Sequence, residues 1–168
     1  MRRARKVMAA CAVTLALGGC QTMLAAAYDP TIATALSTAN SDIQALFVSI
    51  GTDAPVSTFG ARKPAYDHII AELDAVLIEI KARPIPNPEV LAKVNQALEA
   101  VHVGGITVDP DFSSYPSARS VADMVKVLTQ MENADQQAGL HKELIPGFEQ
   151  PVITYLTQAI TYENFLKR

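Results

Sequence analysis

Cysteine is nearly absent from this sequence, with only Cys11 and Cys20 among its 168 residues, and tryptophan is missing altogether. Beyond residue 20 the chain therefore holds no cysteine that could form a disulfide, act as a thiolate nucleophile or ligate a metal. The Gly-x-Ser-x-Gly, His-Glu-x-x-His and glycine-rich phosphate-loop patterns are missing as well. These absences predict a protein that is not an enzyme and that carries no cofactor.

Basic residues are few and unevenly placed. Four of the 14 stand at the amino terminus, as Arg2, Arg3, Arg5 and Lys6, while 17 acidic residues are spread over the rest of the chain. Without the first 19 residues the net charge is −7, because ten basic residues then face 17 acidic ones. No basic stripe remains to engage phosphates, so nucleic acid is excluded as a partner.

The amino terminus has the pattern of a secretory signal. Its basic residues precede an uncharged, mostly apolar run from Val7 to Leu17. This run is too short to span a bilayer, which takes about 20 helical residues, whereas a charged start and a short apolar stretch are typical of a signal peptide. The run ends in Leu17-Gly18-Gly19-Cys20, which resembles the lipobox of bacterial lipoproteins.

The resemblance implies that a diacylglycerol is attached to the Cys20 thiol, that cleavage follows Gly19 and that the new amino terminus is acylated, so that palmitate-type chains hold the protein to a membrane. It also implies the periplasmic face of a bacterial membrane. Gln21, where aspartate would favour inner-membrane retention, implies the outer membrane in a Gram-negative host. Two or more acyl chains anchor a protein stably. The alternative is an ordinary secreted protein with a fortuitous cysteine.

The remaining chain is predicted to be all-α. We expect a cleaved signal peptide at 1–19, a lipidated tether at 20–29 and a single helical-bundle domain at 30–168. Apolar residues recur every three or four positions, the pattern of helices with one buried face. The predicted helices run from Pro30 to Gly51, from between Thr58 and Pro64 to about Ile80, from Pro88 to Gly104, from Ser120 to Gly139, and onward from between Pro146 and Pro151. They fold most simply as an up-and-down bundle of four to five helices, with no strand.

Three patterns bear on ion or cofactor binding. His68 and Glu72 lie one helical turn apart and could offer two metal ligands, with a third from His102 or His141. Asp109-x-Asp111-x-Ser113 copies the start of a calcium loop but lacks its glycine and its final glutamate. Met124 and Met131 could pair with a histidine on haem, although core filling is the commoner role of methionine. A structural role explains each pattern more simply, so no metal site is predicted.

Phe112 and Tyr115 stand in a proline-flanked stretch between two predicted helices and share no helical face. They either cap the end of the bundle, which we favour, or form an exposed aromatic site for a protein partner.

Two functions remain. The favoured one is a non-catalytic envelope lipoprotein that acts as a protein-interaction or accessory module on the periplasmic face of a membrane. It would bind the membrane through its lipid and an envelope protein through its bundle. The alternative is a small-ligand or metal-binding bundle that uses His68, Glu72 and other histidines.

Overall fold

The computed structural model describes residues 26–84 and 115–167 of the chain. Several predicted features lie outside the described residues. They are the signal peptide, Cys20, the helix from Pro88, and the residues Phe112 and His102.

Four long helices make up most of the described residues, so the predicted all-α bundle is confirmed. They are α1 (Pro30–Ile50), α2 (Phe59–Ala82), α3 (Pro116–Ala138) and α4 (Ile145–Leu166). Proline stands in the first turn of α1, α3 and α4, where its missing N–H costs nothing. Asp29 caps α1, since its carboxylate accepts a 2.8 Å hydrogen bond from the Thr31 N–H.

The start of α3 differs from the prediction. The sequence suggested a capping motif at Ser120, but the helix begins four residues earlier, at Pro116. Proline has the backbone angle of a helix start built into its ring, so it determines the first turn. The Ser120 hydroxyl donates back to the Pro116 carbonyl instead of capping the helix.

The helices form a closed ring in which α1 contacts α2 and α4, and α3 contacts the same two helices. All neighbours are antiparallel. Arg62 near the start of α2 meets Asp135 near the end of α3. Glu163 at the end of α4 meets both Arg83, just after α2, and Ser117 at the start of α3. The chain therefore runs up and down. The start of α1 and the end of α4 share one end, here called the amino-terminal end.

The opposite end, here called the turn end, holds the two short connections at 51–58 and 139–144. A two-stranded antiparallel ladder joins them, with β1 (Asp53–Ala54) paired to β2 (Leu140–His141). The prediction of no strand was wrong here, because two-residue strands are too short to show an alternating pattern. Gly139 has φ +74°, and a β-carbon on it would lie 2.5 Å from the Ala54 carbonyl oxygen.

The core is a continuous apolar cluster along the bundle axis. Its fully buried side chains come from all four helices and include Leu36 and Ile43 of α1, Tyr66, Ile69 and Leu73 of α2, Met124, Leu128 and Met131 of α3, and Val152 and Ala159 of α4. Met124 and Met131 are thus part of the core, the structural role that we favoured over haem ligation.

Candidate functional site

Charged side chains are buried at both ends of the bundle. At the turn end, Arg62 makes two hydrogen bonds to the Asp135 carboxylate, of 2.8 Å and 2.6 Å. Their side chains are 6% and 0% exposed. The Tyr66 hydroxyl donates to the same carboxylate at 3.2 Å, and Arg62 also donates to the Thr58 hydroxyl at 2.7 Å. The Asp135 hydrogen bond raises the pKa of Arg62, so the guanidinium stays charged.

At the amino-terminal end, Arg83 and Glu163 form a second bidentate pair, with hydrogen bonds of 2.9 Å and 2.7 Å. The Ser117 hydroxyl donates to Glu163 at 2.6 Å, which adds α3 to the pair. Arg83 forms this pair rather than a surface pair with Glu79, although Glu79 stands four residues before it. Arg83 is buried because α2 ends at Ala82 and the extended backbone of Arg83 points its side chain toward α4.

Tyr115 belongs to this second cluster. It is 4% exposed, its hydroxyl donates to the Arg83 carbonyl, and the Arg83 guanidinium lies 5.9 Å from the centre of its ring. Burial raises the pKa of the Tyr115 hydroxyl, which therefore stays a donor at neutral pH. These contacts match the capping interpretation and leave Tyr115 little surface for a partner. Phe112, the other residue of the predicted partner-binding loop, lies outside the described residues.

The Tyr66 hydroxyl makes the stability of the turn-end cluster depend on pH in the alkaline range. Burial, followed by the charge of Asp135, raises the pKa of Tyr66 far above its ordinary value, and Arg62 opposes this only partly. A group whose pKa is raised by folding stabilises the fold below its unfolded pKa and loses that contribution as the pH rises. The unfolded pKa of tyrosine is about 10.

We therefore predict that Tyr66→Phe lowers the free energy of unfolding by about 1 kcal/mol at neutral pH, the usual value of one hydrogen bond. At about pH 10.5 the difference should shrink, because only the wild type then opposes ionisation of a buried phenol. Urea denaturation followed by circular dichroism at both pH values measures it. A difference that stays constant between the two would contradict the prediction.

The third group of polar residues lies on one side of the bundle, between α1 and α2. His68 and Glu72, one turn apart on α2, lie beside Asp42 of α1, and one potential ligand atom from each falls within 4.8 Å of the other two. His68 Nε2 lies 3.4 Å from Asp42 Oδ2. The structure thus brings together the two residues that the sequence proposed as metal ligands, and it adds Asp42, which the sequence analysis missed.

His141 is not part of this group. It lies at the turn end, where its Nδ1 is 2.8 Å from Asp53 Oδ1, and both side chains are exposed. The expectation that His141 could supply a third ligand to His68 and Glu72 was therefore wrong, since β2 and the middle of α2 are in different parts of the bundle. The other histidine considered, His102, lies outside the described residues.

Glu72 is the member of the group with an unsatisfied buried oxygen. Its Oε2 is buried and has no hydrogen-bond partner, and within the described residues it is the only side-chain nitrogen or oxygen in this situation. Burial, followed by the charge of Asp42, raises the pKa of Glu72, and His68 lowers it to a smaller extent. A buried carboxylate oxygen without a donor is unfavourable.

Small grooves lie beside these groups. One of about 220 Å³ runs along α1 and α2 and is lined by Asp42, Ser49, Arg62 and His68 among others. Another of about 220 Å³ lies between α1 and α4, next to Ser37, Asn40 and Asn164. Each has room for a few water molecules or a small ion, since a water takes up about 30 Å³ of liquid.

None of the described helices is both long and apolar enough to cross a membrane. Comparisons of the chain with protein-family models, with curated protein sequences and with solved structures found no match. Proposals about function therefore rest on the residues of this chain alone.

Proposed function

We propose that this chain is a bacterial envelope lipoprotein whose bundle serves as a non-catalytic interaction or accessory module on the periplasmic face of a membrane. The observation that carries the proposal is the lipobox-like Leu17-Gly18-Gly19-Cys20 behind a basic and then apolar leader. Gln21 favours the outer membrane as the site of anchoring in a Gram-negative host.

The buried charges support a structural role for the polar interior. Within the described residues the four buried charged side chains pair as Arg62 with Asp135 and Arg83 with Glu163. All four side chains are engaged inside the bundle, by one another and by Thr58, Tyr66 and Ser117, as expected of groups that hold the helices together. They join helices that are distant in sequence, which suits a rigid module that is built to be held by a partner.

The topology supports the same proposal. Ala26, the first described residue, lies at the amino-terminal end, so a tether from Cys20 would meet the bundle there. The turn end would then point away from the lipid surface. Val56 and Leu144 are exposed apolar side chains of its two connections. They form the surface that we propose for contact with another envelope protein.

Lipidation is tested by metabolic labelling with radioactive palmitate in the native host. We expect label in the wild type and in Cys11→Ser, and none in Cys20→Ser. The Cys11 variant is a matched control, because it makes the same chemical change within the predicted leader. Intact mass measurement should show loss of residues 1–19 together with added acyl chains. Label that persists in Cys20→Ser, or an unmodified Cys20, would contradict the proposal.

The interaction role is tested by native mass spectrometry of the protein extracted from its own membranes in mild detergent. We expect a second polypeptide at fixed stoichiometry, lost when Val56 and Leu144 are both replaced by serine. Ile78→Ser is the matched control, since this exposed apolar residue lies near the end of α2, at the amino-terminal end of the bundle. A lipidated protein without a polypeptide partner would argue against the interaction role.

A further inference from the structure

The seam between α1 and α2 holds a set of side chains that the proposed function does not use. We infer that Asp42, His68 and Glu72 form a binding site for a divalent transition-metal ion, with zinc as the ion that best matches the donors. The three ligand atoms lie within 4.8 Å of one another, one from α1 and two from α2. The inference does not depend on lipidation or on a protein partner.

The backbone fixes where the three side chains stand. Each is followed in the sequence by a core residue. These core residues are Ile43 after Asp42, Ile69 after His68, and Leu73 after Glu72. Those three core residues are at most 1% exposed. Packing of the core therefore holds the ligand-bearing turns in place, and the site needs side-chain rotation but no helix movement. Preorganisation of this kind favours metal binding.

The distances suit zinc. Zinc lies about 2.0–2.2 Å from histidine nitrogens and carboxylate oxygens, so two such ligands at a tetrahedral angle are ~3.4 Å apart. His68 Nε2 and Asp42 Oδ2 are separated by 3.4 Å. The third ligand atom lies within 4.8 Å of both, so a change of the Glu72 rotamer would bring it to the same spacing.

Glu72 supplies a second, independent observation. Its buried Oε2 lacks any donor, although most buried polar atoms in proteins have one. Within the described residues no lysine or arginine forms a salt bridge with Asp42 or Glu72, and the only partner of Asp42 is His68. Two carboxylates beside a histidine thus leave a negative charge that a cation would neutralise, and the same cation would satisfy the orphaned oxygen.

The donor set selects the class of ion. Calcium binds six to eight oxygen ligands and magnesium binds six. An imidazole nitrogen instead favours zinc, nickel, copper or iron. Three protein ligands leave at least one position for water or an outside ligand. Asp42 and His68 also line the groove of about 220 Å³ between α1 and α2, which has room for water beside them. A bound ion would also cross-link α1 to α2.

The test is isothermal titration calorimetry of the full, tag-free chain, purified in mild detergent and freed of metal with EDTA that is then dialysed away. We expect one equivalent of ZnCl2 to bind, with no comparable binding of CaCl2. His68→Gln and Glu72→Gln should each weaken zinc binding more than ~10-fold, the least effect typical of changes at a metal site. His141→Gln and Glu79→Gln are matched controls on exposed residues outside the cluster, and they should bind zinc as the wild type does.

Thermal unfolding in EDTA separates loss of the site from loss of the fold. Metal-free Glu72→Gln should melt no lower than the wild type, because the change removes a poorly solvated charge next to Asp42. Zinc should raise the melting temperature of the wild type and leave that of Glu72→Gln unchanged. Zinc binding that is equal in all variants, absent from the wild type, or exceeded by that of calcium would overturn the inference.

Discussion

Asp135→Ala is expected to lower the free energy of unfolding by about 3–5 kcal/mol, because it breaks a buried ion pair. Removing the carboxylate leaves the Arg62 guanidinium buried without its 2.8 Å and 2.6 Å hydrogen bonds, and it takes the acceptor of the Tyr66 hydroxyl as well. A buried charge without a partner costs far more than the pair itself contributes. Urea denaturation at neutral pH measures the change.

The neighbouring ion pair on α2 is the control. Lys63 contacts Asp67, four residues later, at 2.6 Å, but the two side chains are 49% and 57% exposed. Asp67→Ala should therefore cost less than about 1 kcal/mol. The double variant Arg62→Met with Asp135→Leu should recover most of the stability lost in Asp135→Ala, since an apolar pair needs no hydrogen bonds. Equal losses in Asp135→Ala and Asp67→Ala would show that burial of the pair is not what matters.

Gly139→Ala is expected to cost about 3 kcal/mol, from two separate sources. The backbone has φ +74°, which L-residues with a side chain adopt only with strain. A β-carbon there would also lie 2.5 Å from the Ala54 carbonyl oxygen and 3.0 Å from the Val56 nitrogen. Both contacts are with backbone, so they are relieved only if β1 and β2 move apart.

Gly51→Ala isolates the first of these sources. Gly51 has a similar φ of +62°, but a β-carbon there meets nothing within 4 Å. Its substitution should cost only about 1 kcal/mol. Thermal unfolding of the two variants side by side gives the comparison, and the predicted excess for Gly139 is the cost of the collision. If Gly51→Ala destabilised the protein as much as Gly139→Ala, the close approach of β1 would have no energetic weight.

The helices could be predicted from the sequence because burial and hydrophobicity coincide along most of each one. On α1 the buried residues follow the three- and four-residue spacing that predicts a helix; they are Ile32, Leu36, Ala39, Ile43, Leu46, Phe47 and Ile50. Helix ends were predictable where chemistry marks them, as at Asp29-Pro30 and Gly139. The start of α3 was predicted four residues late, because Ser120 resembles a capping residue and the helix-starting character of Pro116 was not given enough weight.

The buried charges were missed because the core positions were sought only among apolar residues, and charged residues were assumed to be on the surface. All four nevertheless continue the three- or four-residue spacing of a core stripe. Asp135 follows Leu128 and Met131, and Arg83 follows Val76 and Ile80 in the same register. Arg62 precedes Tyr66 by four residues, and Glu163 follows Ala159 by four. Two features of the sequence would have revealed these pairs. A charged residue continues the three- or four-residue spacing at the end of one apolar stripe, and a residue of opposite charge does so at the end of another.

The candidate metal ligands divide in the same way. The spacing of His68 and Glu72 follows from helix geometry alone, so the sequence could pair them. Asp42 could not be added, because periodicity gives the buried face of each helix but not which helix lies beside which. In a ring of four, α2 has two neighbours, and only the fold shows that the His68 side of α2 faces α1 rather than α3.

The four described helices run up and down, so α1 starts and α4 ends at the same end of the bundle. Lys167 Nζ lies 6.0 Å from the centre of the Tyr28 ring, so the two ends of the bundle chain are adjacent. A short linker could join them, and the chain could be opened at exposed Lys142-Glu143 in the turn end. Such a circular permutant would keep α1 to α4 and both buried ion pairs, but its new amino terminus would lie at the turn end, so that a lipid placed there would attach to the opposite end of the bundle.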